Sequence, residues 1–164
     1  MHREDKPKKI SAAEERARSF RVAQIARRLG FVGRVEYRHV FSTAGGGQYG
    51  IGNRPDADLL IICADAFERD ANPTDFSLEA IIAHERGHQI LRRDARLRTL
   101  VAGRMSATSE EVLASLIGSL IVEDIEDRDS LILKAAAEVV DRGIRGSAAT
   151  RLVHQLRGYL ERFL

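Results

Sequence analysis

The chain has 164 residues, 44% hydrophobic and 30% charged, with a formal net charge of +2. That balance suits a globular protein with an ordinary aliphatic core, and with basic and acidic residues interspersed the composition does not demand a nucleic-acid partner. No run approaches the roughly 18 apolar residues of a membrane helix, no apolar segment follows the charged N-terminus, and the one cysteine, Cys63, rules out an internal disulfide, so the expected setting is cytoplasmic.

Residues 1–10 are polar and basic and read as a disordered tail, with residues 11–164 as one domain. Ser11 and Glu14 form a capping box opening a helix to about Leu29, where Gly30 stops it. Phe20, Ala23, Ile25 and Leu29 mark its apolar stripe, and the arginines at 16, 18, 21, 27 and 28 its solvated face. From Phe31 the period changes to two, predicting a strand through Val32, Val35, Tyr37, His39 and Phe41. Thr43–Gly47 is a turn, Gln48–Gly52 a short returning strand, and Asp58 to about Ala64 a buried strand. The glycine run lacks the Gly-Lys-Ser/Thr ending of a phosphate loop, so it reads as a hairpin. Cys63, inside Leu59-Leu-Ile-Ile-Cys63, is a buried small hydrophobe rather than a nucleophile.

A loop, Asp65–Asp75, leads to the most informative stretch. Ser77 caps a helix in which Leu78, Ile81, Ile82, Ile90 and Leu91 recur at helical spacing. The helix carries His84-Glu85-Arg86-Gly87-His88, the pattern H-E-x-x-H. At about 100° per residue the two histidines lie about 40° apart on one face, one turn from each other. Two imidazoles so placed can reach one metal ion, and Glu85, rotated off that face, is placed to touch a water instead. Two histidines and a glutamate on so aliphatic a helix are costly to bury without partners. Gly87 gives close access beside His88.

Asp94–Ala107 reads as a basic connection. A third helix spans about Ser109–Ile125, with Thr108–Glu111 as a capping box. A fourth, Ser130–Asp141, is capped by Asp127 or Asp129 and ended by Gly143. A fifth begins at Ser147 and runs to about Phe163. The last two are amphipathic, through Leu131, Ile132, Ala135 and Val139 and through Leu152, Leu156 and Leu160. They cover the core and leave room for a homo-oligomer face. His2 and His154 read as surface or structural residues.

Ile81–Leu91 (Ile-Ile-Ala-His-Glu-Arg-Gly-His-Gln-Ile-Leu) resembles the active-site helix of the zincin metallopeptidases, gluzincin branch, with the ImmA/IrrE-like peptidases as the nearest relatives. The resemblance covers about residues 32–121. It implies an α+β zincin-like fold, with a small, mostly antiparallel sheet of about three strands and about five helices. In that family the third ligand is a glutamate on a later helix, which points to Glu111, in Glu111-x-x-Ala114-Ser115. Two residues depart from the family pattern. Arg86 stands where an aliphatic residue is usual. Ser115 stands where Asp or Asn is usual, which weakens the expected support behind a ligand.

Other residues compete for the third position. Asp94 falls where a metzincin would place its last ligand, but Leu91 replaces the glycine that turns such a chain out of its helix, so the helix should continue and carry Asp94 past the metal. Glu110, Glu123 and Asp124 are further candidates. The expected set is His84, His88 and Glu111 on Zn²⁺, with Glu85 as general base and a peptide or protein as substrate. Histidine and carboxylate donors suit several divalent metals. Tyr37, His39, Tyr49 and Arg86 are the available oxyanion donors. The alternatives are a catalytically silent zincin-fold binding or regulatory module, and a structural protein whose histidines bind nothing.

Overall fold

A computed structural model describes residues 6–42, 45–68, 76–101 and 107–164. Two compact units make up the chain, Met1–Ile82 and Ala83–Leu164. The described residues hold six α-helices and a three-stranded mixed sheet, an α+β fold.

In the first unit, α1 (Ala12–Arg28) starts where Ser11 Oγ accepts a hydrogen bond from Glu14 N at 3.0 Å. It ends at Leu29, with Gly30 at φ 79° as the stop. The buried stripe is Val22, Ile25, Ala26 and Leu29. Phe20, expected on that stripe, is 70% exposed. The spacing 22, 25, 26, 29 is the one that keeps to a single face of a helix, and residue 20 lies off it.

The strands are β1 (Arg34–Arg38), β2 (Gly47–Gly50) and β3 (Leu59–Cys63), in the order β1-β3-β2. β2 pairs antiparallel with β3, Gly47 opposite Ile62 and Gly50 opposite Leu59. β1 pairs parallel with β3, from Arg34 opposite Leu59 to Arg38 opposite Cys63. The expectation of a mostly antiparallel sheet is corrected to a mixed one. Alternating side chains report which face is buried, and carry no information on strand direction.

Asp58 ties the three strands together. Its backbone oxygen accepts from Arg34 N (2.8 Å), and its fully buried carboxylate accepts from Tyr49 Oη (2.9 Å) and Gly52 N (2.8 Å). Leu60 and Ile62, both fully buried, give β3 its core face, and Cys63 is buried beside them in sequence, as expected. Burial also pushes the Cys63 thiol pKa up.

α2 (Leu78–Arg93) begins where Ser77 Oγ accepts from Ala80 N at 3.0 Å. The boundary between the two units falls within this helix. The second unit then contains α3 (Ala95–Val101), α4 (Ala107–Ile121), α5 (Ile125–Asp141) and α6 (Ser147–Glu161). α3 lies within the stretch read as a basic connection, Asp94–Ala107. Its cap is Asp94, whose Oδ1 accepts from Arg96 N (2.8 Å) and Leu97 N (3.4 Å). Thr108 already lies inside α4, one residue past its first, so it is not the N-cap there.

The third expected helix was too long at its end and the fourth too short at its start. Asp124, not Asp127 or Asp129, caps α5, accepting from Asp127 N at 3.0 Å. α4 packs against both α5 and α6. Val112, Leu113, Ala114, Leu116 and Ile117 are all buried, and so are Glu110, Ser115 and Ser119, so α4 is covered nearly all round, the mark of a central helix. Leu131, Ala135 and Val139 of α5 and Ala149, Val153 and Leu160 of α6 close the core around it. Residues 1–5, including His2, and most of the expected 65–75 loop lie outside the described residues.

Candidate metal centre

The centre is built by two helices that approach very closely. At Gly87 of α2 a Cβ atom would stand 2.1 Å from the carbonyl oxygen of Ala114 in α4. At Gly118 of α4 a Cβ would stand 3.0 Å from the carbonyl oxygen of Ala83 in α2. The two glycines, one on each helix, let the backbones meet. Gly87 therefore serves the packing of α4 rather than access to His88.

This approach sets Glu111 of α4 over the histidine face of α2. Nε2 of His84 and Nε2 of His88 are 3.2 Å apart, and the rings stand edge to face at 90°. Glu111 Oε2 lies 3.0 Å from His84 Nε2, and Oε1 lies 3.2 Å from His88 Nε2. Donors each about 2 Å from a tetrahedral ion stand about 3.3 Å from one another. His84, His88 and Glu111 thus fit one metal ion in number, donor type and mutual spacing.

The far nitrogen of each ring has its own partner. His84 Nδ1 lies 2.9 Å from Ser115 Oγ, which is fully buried. His88 Nδ1 lies 3.1 Å from Glu110 Oε1. Arg92 holds Glu110 in turn through two bonds, Nε to Oε1 at 2.8 Å and Nη2 to Oε2 at 3.0 Å. A metal ion on the two Nε2 atoms would leave the ring protons on Nδ1, from which both rings would donate away from the centre, to Ser115 and Glu110. Ser115 thus supplies the support expected of Asp or Asn. Glu110, a rival third ligand in the sequence, is the group that orients His88.

The electrostatics separate the two rings. Burial lowers the His84 pKa to about 4, so its ring is neutral at pH 7. His88 is partly buried, which works to lower its pKa, but hydrogen bonds to Glu111 and Glu110 and the negative charge of Glu85 outweigh that and raise it. Hydrogen bonds from His84 and His88 hold the Glu111 carboxyl well below the usual carboxylate range. Burial opposes ionisation of Glu110, and Arg92 with His88 overcomes it, leaving its pKa lowered. Glu85 is buried on the same helix.

The remaining candidates go elsewhere. Asp94 caps α3 and is paired with Arg96 Nη2 at 2.8 Å. It misses the centre, as expected, but because α2 stops at Arg93 rather than because the helix continues. Asp124 caps α5, and Glu123 is exposed in the turn before it. The four oxyanion candidates have polar partners of their own. Tyr37 Oη accepts from Arg18 Nη1 (3.1 Å) and lies 2.9 Å from His39 Nδ1. His39 Nε2 lies 2.7 Å from the Lys8 carbonyl oxygen, Tyr49 donates to Asp58, and Arg86 donates to Gln89 at 2.6 Å.

One residue was missed. Lys134 of α5 places Nζ 3.4 Å from Glu111 Oε2 and 3.5 Å from His84 Nε2. The available signal was a single charge within the apolar run Leu131-Ile-Leu-Lys-Ala-Ala-Ala137, next to the buried Ala135.

No helix among the described residues is long and apolar enough to cross a membrane. No protein-family model, no curated protein and no solved structure matches this chain.

Proposed function

We propose that the chain is a zinc-dependent metallopeptidase that hydrolyses peptide bonds. The reading is carried by the convergence of two Nε2 atoms and a carboxylate at separations of 3.0 and 3.2 Å, with both outer ring nitrogens already partnered. Three protein donors leave a fourth tetrahedral position for water or substrate, the pattern of a catalytic rather than a structural site. Zinc held there would acidify a water molecule and polarise a substrate carbonyl. Ser115 and Glu110 keep the rings aimed, so little reorganisation accompanies loading. Glu85 follows the first ligand by one residue, about 100° round the helix. Its carboxylate is the group to take a proton from the attacking water and return it to the leaving amine. A peptide or protein is the substrate class in this reading.

The test has two steps. Metal content is measured in protein purified without added metal, for wild type, His84→Ala, Glu111→Ala and Asp94→Ala. The expected result is about one zinc per chain, lost with His84 or Glu111 and kept with Asp94. A peptide library is then incubated with wild type and Glu85→Gln. Cleavage by wild type alone supports the enzyme. Zinc without cleavage of any peptide would leave a silent zincin-fold module, and no zinc even after zinc is supplied would remove the metal reading altogether.

A further inference from the structure

Lys134 has no place in the metal-site reading as it stands, yet its ammonium lies on two of the proposed ligand atoms. Nζ is 3.4 Å from Glu111 Oε2 and 3.5 Å from His84 Nε2. A lysine that only covered the core would lay its stem on apolar surface and carry its head to water. The Lys134 side chain is instead 23% exposed, against 38% for Glu111.

The charges around the two histidines show what the lysine does. Glu110 and Glu111 both contact His88. Arg92 pairs with Glu110 at 2.8 Å, and Lys134 pairs with Glu111 at 3.4 Å. Arg92 holds a carboxylate whose work is to orient a ring, so its bond is compatible with a bound metal. Lys134 holds a carboxylate that would itself be a ligand. A divalent cation on His84, His88 and Glu111 would face a like charge across a few ångströms, and the two cations would share one carboxylate oxygen. The lysine stem has four carbons and rotates freely enough for its head to leave.

We propose that Lys134 is a tethered counter-ion of the metal centre. It neutralises and holds Glu111 in the metal-free protein, competes with the incoming ion for that carboxylate, and so sets the metal affinity of the site. It is a positioning residue that acts through Glu111. The inference rests on the metal-site reading above.

Zinc is titrated against a competing chelator into metal-free, full-length wild type and into Lys134→Met, Lys134→Gln and Lys134→Arg. Removing the charge tightens zinc binding by roughly tenfold or more in both the Met and the Gln variant. Arg, which keeps the charge, stays within about threefold of wild type. The melting temperature of each metal-free protein is read alongside, and zinc raises it more in the Met and Gln variants than in wild type. A merely structural lysine would lower the metal-free melting temperature without tightening zinc binding. Equal or weaker zinc binding by both neutral variants would overturn the proposal while leaving the metal site standing. Failure of wild type and every variant to bind zinc would overturn both.

Discussion

Gly87 of α2 rests against the backbone of Ala114 in α4 so closely that a methyl group at residue 87 would lie 2.1 Å from the Ala114 carbonyl oxygen. Glycine costs a mid-helix position about 1 kcal/mol relative to alanine, so propensity alone favours Gly87→Ala. The clash is with backbone and cannot be relieved by a rotamer change. Overpacking of this kind costs about 1–3 kcal/mol. Gly87→Ala is therefore expected to lower stability in urea unfolding and to weaken zinc binding by separating His88 from Glu111. Gly118→Ala, with a 3.0 Å contact to the Ala83 carbonyl oxygen, follows in the same direction with a smaller effect. A Gly87→Ala protein more stable than wild type would show that the two helices do not pack this closely.

Ser115 and Glu110 carry no metal in the proposed site, yet each holds one imidazole by its far nitrogen. Loss of such support lowers metal affinity by about 10–100-fold. Ser115→Ala and Glu110→Gln are expected to fall in that range in a zinc titration, whereas Glu111→Ala removes a ligand and abolishes tight binding. Glu110→Gln also loosens Arg92, because the amide keeps one acceptor oxygen and its NH2 cannot accept, so one of the two bonds is lost and the other loses its charge. Near wild-type affinity in both Ser115→Ala and Glu110→Gln would mean that the rings are fixed by packing alone.

Asp94 offers a pH test away from the metal. Hydrogen bonding and pairing with Arg96, with further bonds from the backbone of Arg96 and Leu97, lower its pKa from 3.8 to about 2. A depressed folded-state value means that the unfolded chain takes up the proton first. The stabilisation is present above about pH 4 and is lost as pH falls through about 2. The carboxylate is close to the surface, so the effect is modest. Asp94→Ala is expected to lower stability at pH 7 by about 1 kcal/mol, the usual value of a helix cap. Its unfolding midpoint should also change less than that of wild type between pH 4 and pH 2. An unchanged acid profile would show that Asp94 is not paired in solution.

Several features were legible because they depend on neighbours in sequence. The Ser11 and Ser77 caps, the glycine stop at residue 30, and the buried stripes Leu78–Ile82 and Leu131–Val139 follow from local hydrogen bonding and from a 3.6-residue period. The two histidines share a face because four residues make about one turn of helix. The resemblance of the H-E-x-x-H helix to a peptidase then singled out Glu111 among five acidic candidates. The misreadings have local causes as well. Asp94 and Asp124 are both short acidic caps, and each opens a helix earlier than the apolar pattern announces.

What the sequence by itself determined is the content of each element: which residues are helical, which face is apolar, and that His84 and His88 point the same way. What only the tertiary structure decided is which elements meet. The parallel pairing of β1 with β3 depends on a backbone register that side-chain alternation does not encode. The assignment of Glu111 to the centre and of Glu110 and Ser115 to its support depends on how closely α2 and α4 approach, which Gly87 and Gly118 permit but do not by themselves dictate. Lys134 reaches the same carboxylate from a third helix, α5. Periodicity constrains neighbours along one helix, whereas contacts between helices are set by the packing of the whole core, in which every side chain takes part.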